Sequence, residues 1–256
     1  MDLMEKVAVI TGGASGLGRA TAEMVIERGG RVAIFDLNAD LGARTAAELG
    51  GNASAYEVNV ADETSVQEAV GRVMADFGAI HVNVNCAGIG AAARTLGRDA
   101  PAPLAWFTRI LQINLTGTFN TLRLCAWEMQ KNEPVNEDGE RGAIVNTASV
   151  AAFDGQIGQA GYAASKAGVV GMTLPVARDL SRSGIRLCTI APGIFETPMM
   201  AGAPDRVRDP LIDMVQYPKR LGNAVEFALL ACQIIENPYL NGETIRLDGG
   251  IRMAPK

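Results

Sequence analysis

Short runs of apolar and β-branched residues alternate along the chain with longer stretches in which apolar residues have helical spacing, and this alternation restricts the fold most strongly. It is typical of right-handed βαβ crossovers, which place parallel strands in one sheet with helices on both faces. The runs are almost continuously apolar, as in strands that are covered on both faces. We predict seven strands, at residues 7–11, 32–36, 53–60, 81–85, 143–147, 185–190 and 244–247.

A glycine-rich turn, TGGASGLG, follows the first predicted strand and leads into a predicted helix. Gly12, Gly16 and Gly18 give it the pattern TGxxxGxG. Glycines let the backbone approach a pyrophosphate closely, and the helix N-terminus offers free N–H groups and the positive end of its dipole. A tight turn without a ligand is the alternative. We predict an α/β fold, a single-domain Rossmann fold with a doubly wound seven-stranded parallel sheet.

The predicted domain spans residues 1–256, with a cofactor half up to about residue 150 and a catalytic and substrate half at 151–256. Asp36 ends the second predicted strand, where a carboxylate can accept hydrogen bonds from both hydroxyls of an adenosine ribose. A 2′-phosphate there would meet a like charge, so the sequence predicts NAD rather than NADP. A solvated aspartate at a strand end is the alternative.

Tyr162 and Lys166 are one helical turn apart in a predicted helix and therefore share a face. A phenol acts as a base near neutral pH only if its pKa is depressed, and Lys166 is the cation placed to depress it. Ser149 follows the fifth predicted strand, where it could donate to a substrate oxygen or cap a helix. Asn114 is polar in an apolar helical stretch, which predicts a buried role, either functional or that of a satisfied core amide.

Several other kinds of function are excluded by composition. A net charge of −5 without a basic run argues against nucleic acid as a partner. No apolar stretch reaches the ~20 residues that span a bilayer, so we expect no membrane partner. One histidine and no CxxC spacing argue against a metal site. The first residues resemble no signal or transit peptide, which predicts a cytoplasmic protein, or one of the mitochondrial matrix if the source is eukaryotic.

Together with NCAG at 85–88 and Pro192-Gly193 leading to Thr197, these motifs resemble the short-chain dehydrogenase/reductase family over essentially the whole chain. The resemblance implies that Asn114 holds a water in a proton relay, Ser149 orients the substrate oxygen, Tyr162 takes the hydroxyl proton, and Lys166 binds the nicotinamide ribose and lowers the pKa of the tyrosine. The cofactor-binding residues that it implies are Gly12, Ser15, Gly16, Leu17, Gly18, Asp36, Asn59, Val60, Cys86, Ala87, Gly88, Tyr162, Lys166, Pro192, Gly193, Phe195 and Thr197.

Longer stretches are similar to the branch of the family that oxidises 3-hydroxyacyl-CoA, including short branched forms: NTASVAAF at 146–153, GMTLP at 171–175, IENP at 235–238 and IRLDG at 245–249. The resemblance implies an acyl-CoA substrate and a homotetramer. Two residues depart from the family pattern. Asn59 replaces an aspartate, although its amide oxygen can still accept from an adenine, and Cys86 replaces the commoner asparagine.

Residues 192–210, with four prolines, follow a strand's carboxyl end and are predicted to form a lid. Met199 and Met200 could adapt to an acyl chain or simply pack on the lid itself. The cations that could meet the phosphates of coenzyme A are Arg94, Arg98, Arg206 and Arg208. The alternatives are a hydroxysteroid or small polyol dehydrogenase and, outside enzymes, an NAD-binding interaction subunit that retains the fold.

Overall fold

Seven parallel strands form one sheet in the computed structural model, which describes residues 1–90, 92–197 and 205–255. The strands are β1 (Val7–Thr11), β2 (Arg31–Asp36), β3 (Ala53–Glu57), β4 (Val82–Asn85), β5 (Gly142–Thr147), β6 (Ile185–Pro192) and β7 (Thr244–Leu247). Their order is β3-β2-β1-β4-β5-β6-β7. Because the order reverses between β1 and β4, a crevice opens at the carboxyl ends of these strands. The predicted Rossmann-like fold is confirmed.

Alternate residues of each strand face opposite layers of helices. Ala8 and Ile10 belong to a core on one face of the sheet, whereas Val7 and Val9 belong to a second core on the other face. The helices are α1 (Gly16–Glu27), α2 (Ala39–Leu49), α3 (Glu63–Phe77), α4 (Leu104–Leu111), α5 (Gly117–Met129), α6 (Ala160–Leu180), α7 (Asp205–Met214) and α8 (Ala224–Glu236). Helices α1, α2 and α8 pack on the first face, and α3, α5 and α6 pack on the second. Within the described ranges no helix is long and apolar enough to cross a bilayer.

Strand β3 is shorter than the predicted strand at 53–60. It ends at Glu57, and the Val58 N–H makes one further hydrogen bond, of 2.9 Å, to the Asp36 carbonyl. The chain then turns, because the Asn59 N–H donates to Ser65 Oγ (3.0 Å). Asn59 and Val60 therefore leave the sheet at its carboxyl edge, where the crevice lies.

Two other segments differ from the prediction or lie partly outside the described residues. Strand β6 extends past residue 190 to Pro192, which pairs with Leu247. The predicted lid at 192–210 begins within this strand and ends within α7. Met199 and Met200 lie outside the described residues, as does the side chain of Arg206.

Candidate active site

A cavity of about 800 Å³ lies at the carboxyl edge of the sheet, and its lining includes residues that end or follow β1 through β6. All the residues predicted to bind the cofactor are in this lining. Of the predicted catalytic residues, Ser149, Tyr162 and Lys166 also line the cavity, and Asn114 lies fully buried outside the lining. Residues that are far apart in the sequence are thus brought together at one edge, as the parallel topology requires.

The glycine turn leaves bare backbone facing the cavity. Gly12 and Gly16 have φ values of +63° and +53°, which glycine adopts far more readily than other residues. A Cβ added to Gly18 would lie 2.3 Å from the Gly12 carbonyl oxygen. Helix α1 begins at Gly16, and its preceding residue, Ser15, makes no side-chain cap. The first N–H groups of α1 therefore remain available to an anion at this end of the cavity.

The carboxylate of Asp36 is fixed beside the glycine turn. It accepts hydrogen bonds from the N–H groups of Ala14 (3.2 Å) and Asn38 (3.0 Å) and keeps further lone pairs for a ribose diol. Asn59 lines the same end, and its side-chain oxygen accepts from the Ala61 N–H (3.1 Å). Bare backbone for a pyrophosphate and a carboxylate for a ribose therefore lie in one cavity. The residues present fit a dinucleotide.

Lys166 is held at the other end of the cavity by burial and by one backbone oxygen. Its Nζ donates to the Thr147 carbonyl (2.8 Å), and only 5% of the residue is exposed. Burial lowers the pKa of Lys166 to about 8, so the ammonium predominates at neutral pH. This Nζ lies 5.9 Å from the centroid of the Tyr162 ring. The helical spacing thus places both groups on the cavity side of α6, as predicted.

The protonation of Tyr162 differs from the sequence-based expectation. Burial raises the pKa of the Tyr162 phenol, and the Ser149 side chain lowers it by a smaller amount. In the protein without its cofactor, burial of the phenol outweighs the expected depression by Lys166, whose ammonium donates to the Thr147 carbonyl. The phenol is therefore protonated at neutral pH and able to donate a proton.

Ser149 combines both roles that the sequence left open. Its Oγ accepts a hydrogen bond from the Ala151 N–H (3.1 Å) and so caps the short 3-10 turn Val150–Ala152. The same side chain lines the cavity and acts on the Tyr162 phenol. A hydroxyl whose acceptor is engaged in this way keeps its O–H to donate. The backbone thus fixes Ser149 in the wall of the cavity.

Asn114 is buried and connects two segments of the site by hydrogen bonds. It lies in the π-helical turn Gln112–Thr116 between α4 and α5. Its side-chain oxygen accepts from the Ile89 N–H (2.8 Å), and its amide donates to the Ile89 carbonyl (3.0 Å) and to Ser165 Oγ (3.1 Å). Ser165 in turn donates to the Tyr162 carbonyl (2.7 Å). Asn114 therefore ties the loop after β4 to the first turn of α6.

Several lining residues are absent from the sequence-based set. They come from α4, the loop before α6, the segment after β6, α7 and the segment after β7: Arg109, Gln156, Gln159, Ile194, Leu211 and Met253. Gln156 and Gln159 precede Tyr162 at a three-residue spacing, a signal that could have found them. The others carry no local pattern.

The cations proposed to meet coenzyme A are not among the described lining residues. Arg94 and Arg98 are exposed outside the cavity, and Arg208 forms an ion pair with Glu196 (3.0 Å). The described cations that do line the cavity are Lys166 and the exposed Arg109.

Known proteins resemble this chain over nearly its whole length. Residues 6–207 match the family model described as short chain dehydrogenase. The 3-hydroxyacyl-CoA dehydrogenase type-2 of Drosophila melanogaster is 53% identical over 251 residues, which cover 97% of this chain and 98% of that protein. The Homo sapiens protein of the same name is 52% identical over 251 residues, with 97% and 96% covered. The crystal structure of 3-hydroxyacyl-CoA dehydrogenase type-2 from Mycobacterium avium has a TM-score of 0.93 and 43% identity, and 100% of each chain is covered.

Proposed function

Because this chain belongs to the short-chain dehydrogenase family, and is therefore an oxidoreductase that uses a nicotinamide dinucleotide, we propose that it interconverts (S)-3-hydroxyacyl-CoA and 3-oxoacyl-CoA with NAD. Short branched acyl groups are included. The observation that carries the proposal is the meeting of Ser149, Tyr162 and Lys166 in one cavity with the glycine turn and Asp36. The relatives' names supply the acyl-CoA class.

The choice of NAD rests on Asp36. Its carboxylate is fixed by two backbone N–H groups, so it cannot easily turn away from a 2′-phosphate. Repulsion between two close anions in a partly desolvated pocket is on the order of a few kcal/mol, which favours the cofactor without that phosphate.

The protein's part in the reaction is to position the substrate and to move one proton. Ser149 donates its O–H to the substrate oxygen, and Tyr162 exchanges a proton with the same oxygen. When bound, the nicotinamide exchanges the hydride and, in its oxidised form, adds a positive charge to the site. Because burial keeps the Tyr162 phenol protonated, reduction of the ketone can use it directly at neutral pH. Oxidation requires the phenolate, so its rate should rise with pH.

Lys166 and Asn114 support this proton transfer in different ways. The Lys166 ammonium favours the Tyr162 phenolate electrostatically and can donate to a ribose hydroxyl. Asn114 acts through its contacts, because it holds the backbone of Ile89 and the Ser165 hydroxyl that bonds the Tyr162 carbonyl. The predicted role of Asn114 in holding a water of the relay stays part of the proposal.

The acyl-CoA assignment is supported by the composition of the cavity lining. Ile194, Leu211 and Met253 give an apolar wall, and Arg109 gives an exposed cation suited to a phosphate. We include in the proposal the predicted division into a cofactor half up to about residue 150 and a substrate half after it. We also propose that the protein is a homotetramer and is located in the cytoplasm.

Steady-state kinetics of the purified protein test the proposal. Acetoacetyl-CoA, its 2-methyl derivative, a 3-ketosteroid and a ketose are each offered with NADH and with NADPH. We expect both acyl-CoA thioesters to have kcat/KM values at least about 100-fold above those of the steroid and the ketose. Absence of acyl-CoA turnover, with turnover of the steroid or ketose, would assign the site to the alternative substrates.

A further inference from the structure

Residues 251–255, which follow β7, close the cavity near the reacting groups. Ile251 is fully buried, and Met253 lines the cavity. Both belong to a cluster that also contains Val150, which directly follows Ser149, and Ile194, which directly follows Gly193. Met253 therefore packs beside the part of the cavity wall that contains Ser149. We call residues 251–255 the closing segment.

Hydrogen bonds attach the closing segment to two other parts of the wall. Gln156 Nε2 donates to the Ala254 carbonyl (3.0 Å), and the Ile157 N–H donates to the Pro255 carbonyl (3.0 Å). On its other side the Ala254 N–H donates to the Met214 sulfur (3.3 Å), at the end of α7. The backbone that directly follows Met253 is therefore tied to the loop before α6 and to α7.

Arg246 anchors the base of the closing segment. Its guanidinium pairs with Asp154 (2.6 Å) and Asp248 (2.7 Å) and donates to the Ile251 carbonyl (3.0 Å). It also lies 5.2 Å from the centroid of the Phe153 ring. The hydrogen bond from Arg246 lowers the pKa of the Asp154 carboxyl, so this pair stays ionised at neutral pH. The position of Met253 is thus set by a fixed network of bonds.

We propose that Met253 is the specificity-determining residue that limits the length and branching of the acyl group. This inference rests on the proposed function and adds the residue that selects among 3-oxoacyl-CoA substrates. The Met253 side chain occupies space in the cavity, so a longer acyl group would have to displace it, whereas its flexible thioether can adjust to short branched groups. Apolar pockets discriminate by about 10- to 200-fold for each methylene, which sets the size of the expected effect.

Kinetics of Met253→Ala with acyl groups of increasing length test the inference. The readout is the ratio of kcat/KM for 3-oxooctanoyl-CoA to that for acetoacetyl-CoA, with NADH. We expect the ratio to rise at least about tenfold, because truncation opens space beyond the short acyl group. Met253→Leu, which conserves the volume, should keep the ratio within about threefold of the wild-type value. Met253→Phe should lower the ratio, and it provides the test if Met253→Ala does not fold.

Met214→Ala is the matched control. Met214 packs on the same cluster and bonds the Ala254 N–H, but it is not among the described residues that line the cavity. Loss of its side chain loosens the closing segment but removes no residue from the cavity lining. The ratio of kcat/KM values should therefore stay near the wild-type value, while the melting temperature falls.

Three outcomes would overturn the inference, and they are distinguishable from one another. If the wild-type protein turns over acetoacetyl-CoA and the folded Met253 variants keep its ratio of kcat/KM values, Met253 is not the determinant, and the proposed function still stands. An equal rise in Met214→Ala would assign the effect to general loosening. Failure of the wild-type protein to turn over any acyl-CoA would remove both the proposed function and this inference.

Discussion

The two ends of the cavity are built in different ways. The glycine-turn end consists mainly of backbone from one strand–turn–helix unit, with Gly12, Gly16 and Gly18, and of the Asp36 carboxylate at the end of β2. The reaction end is made of side chains that different segments bring together: Ser149 after β5, Tyr162 and Lys166 on α6, and Met253 in the closing segment. Binding at the glycine turn depends on the absence of side chains, whereas the reaction end depends on where its side chains are placed.

This difference indicates where substitutions in the cavity wall should be tolerated. A Cβ at Gly18 has no room, because the atom that it would meet is a backbone oxygen. At Met253 the neighbours are apolar side chains such as Ile194 and Met214, and not backbone atoms. Gly18 should therefore tolerate almost no substitution, whereas substitution of Met253 should change the substrate preference and keep the chemistry.

The largest effect that we predict at the glycine-turn end is that of Gly18→Ala. The added Cβ must displace the Gly12 backbone, and a displacement of about 1 Å in a binding site costs on the order of 100-fold. We expect NADH, titrated by its fluorescence, to bind at least about 100-fold more weakly. Gly71→Ala is the control, because a Cβ at that glycine of α3 meets nothing within 4 Å. Binding of NADH by Gly18→Ala at near wild-type strength would contradict the claim that the glycine turn has no room for a Cβ at this position.

A smaller effect is predicted for Asp36→Ala. Removal of the carboxylate relieves the repulsion of a 2′-phosphate, so the ratio of kcat/KM with NADH to that with NADPH should fall by about 10- to 100-fold. Asp40→Ala removes the same charge from an exposed position in the first turn of α2 and should leave the ratio unchanged. A ratio that falls equally in both variants would mean that net charge, and not the site, selects the cofactor.

The smallest effect is predicted at His81, which precedes β4 at the sheet edge opposite the cavity. Its Nδ1 accepts from the Val7 N–H (3.2 Å), and burial lowers the pKa of His81 to about 4. Between that value and the usual pKa of ~6.5 the unfolded chain binds a proton that the folded protein lacks. The free energy of unfolding should therefore fall as the pH drops through this window, by about 1 kcal/mol at pH ~5 after allowance for partial exposure.

Urea unfolding of His81→Gln at two pH values checks this prediction. The variant should lose about 1 kcal/mol less than the wild-type protein between pH ~7.5 and pH ~5. Its affinity for NADH should be unchanged, because His81 lies far from both ends of the cavity. An identical loss in the two proteins would show that His81 is not held neutral by the fold.

The sequence predicted the parts of the molecule that depend on local pattern. The seven strands, their parallel direction and the glycine turn follow from the alternation of strands with helices and from glycine spacing. The prediction for β3 was too long because Val58 and Val60 continue an apolar alternation after the chain has turned away at Asn59. Periodicity does not record such a turn when its cause is a side-chain hydrogen bond.

The sequence could not predict features of the reaction end that depend on tertiary structure. The pKa of Tyr162 depends on how deeply the phenol is buried, and helical spacing to Lys166 carries no information on burial. The placement of Met253 at the cavity depends on tertiary contacts, such as those of Arg246 and Gln156 with the closing segment. Residues 198–204 of the predicted lid lie outside the described part of the chain.

The most direct test of the central claim is the turnover of Tyr162→Phe, compared with the wild-type protein for acetoacetyl-CoA and NADH. The variant keeps the ring and removes the hydroxyl that exchanges the proton. We predict that kcat falls by about 10²- to 10⁴-fold while the affinity for NADH changes by less than about threefold. Turnover within about tenfold of the wild-type value would contradict the assignment of Tyr162 as the group that moves the proton.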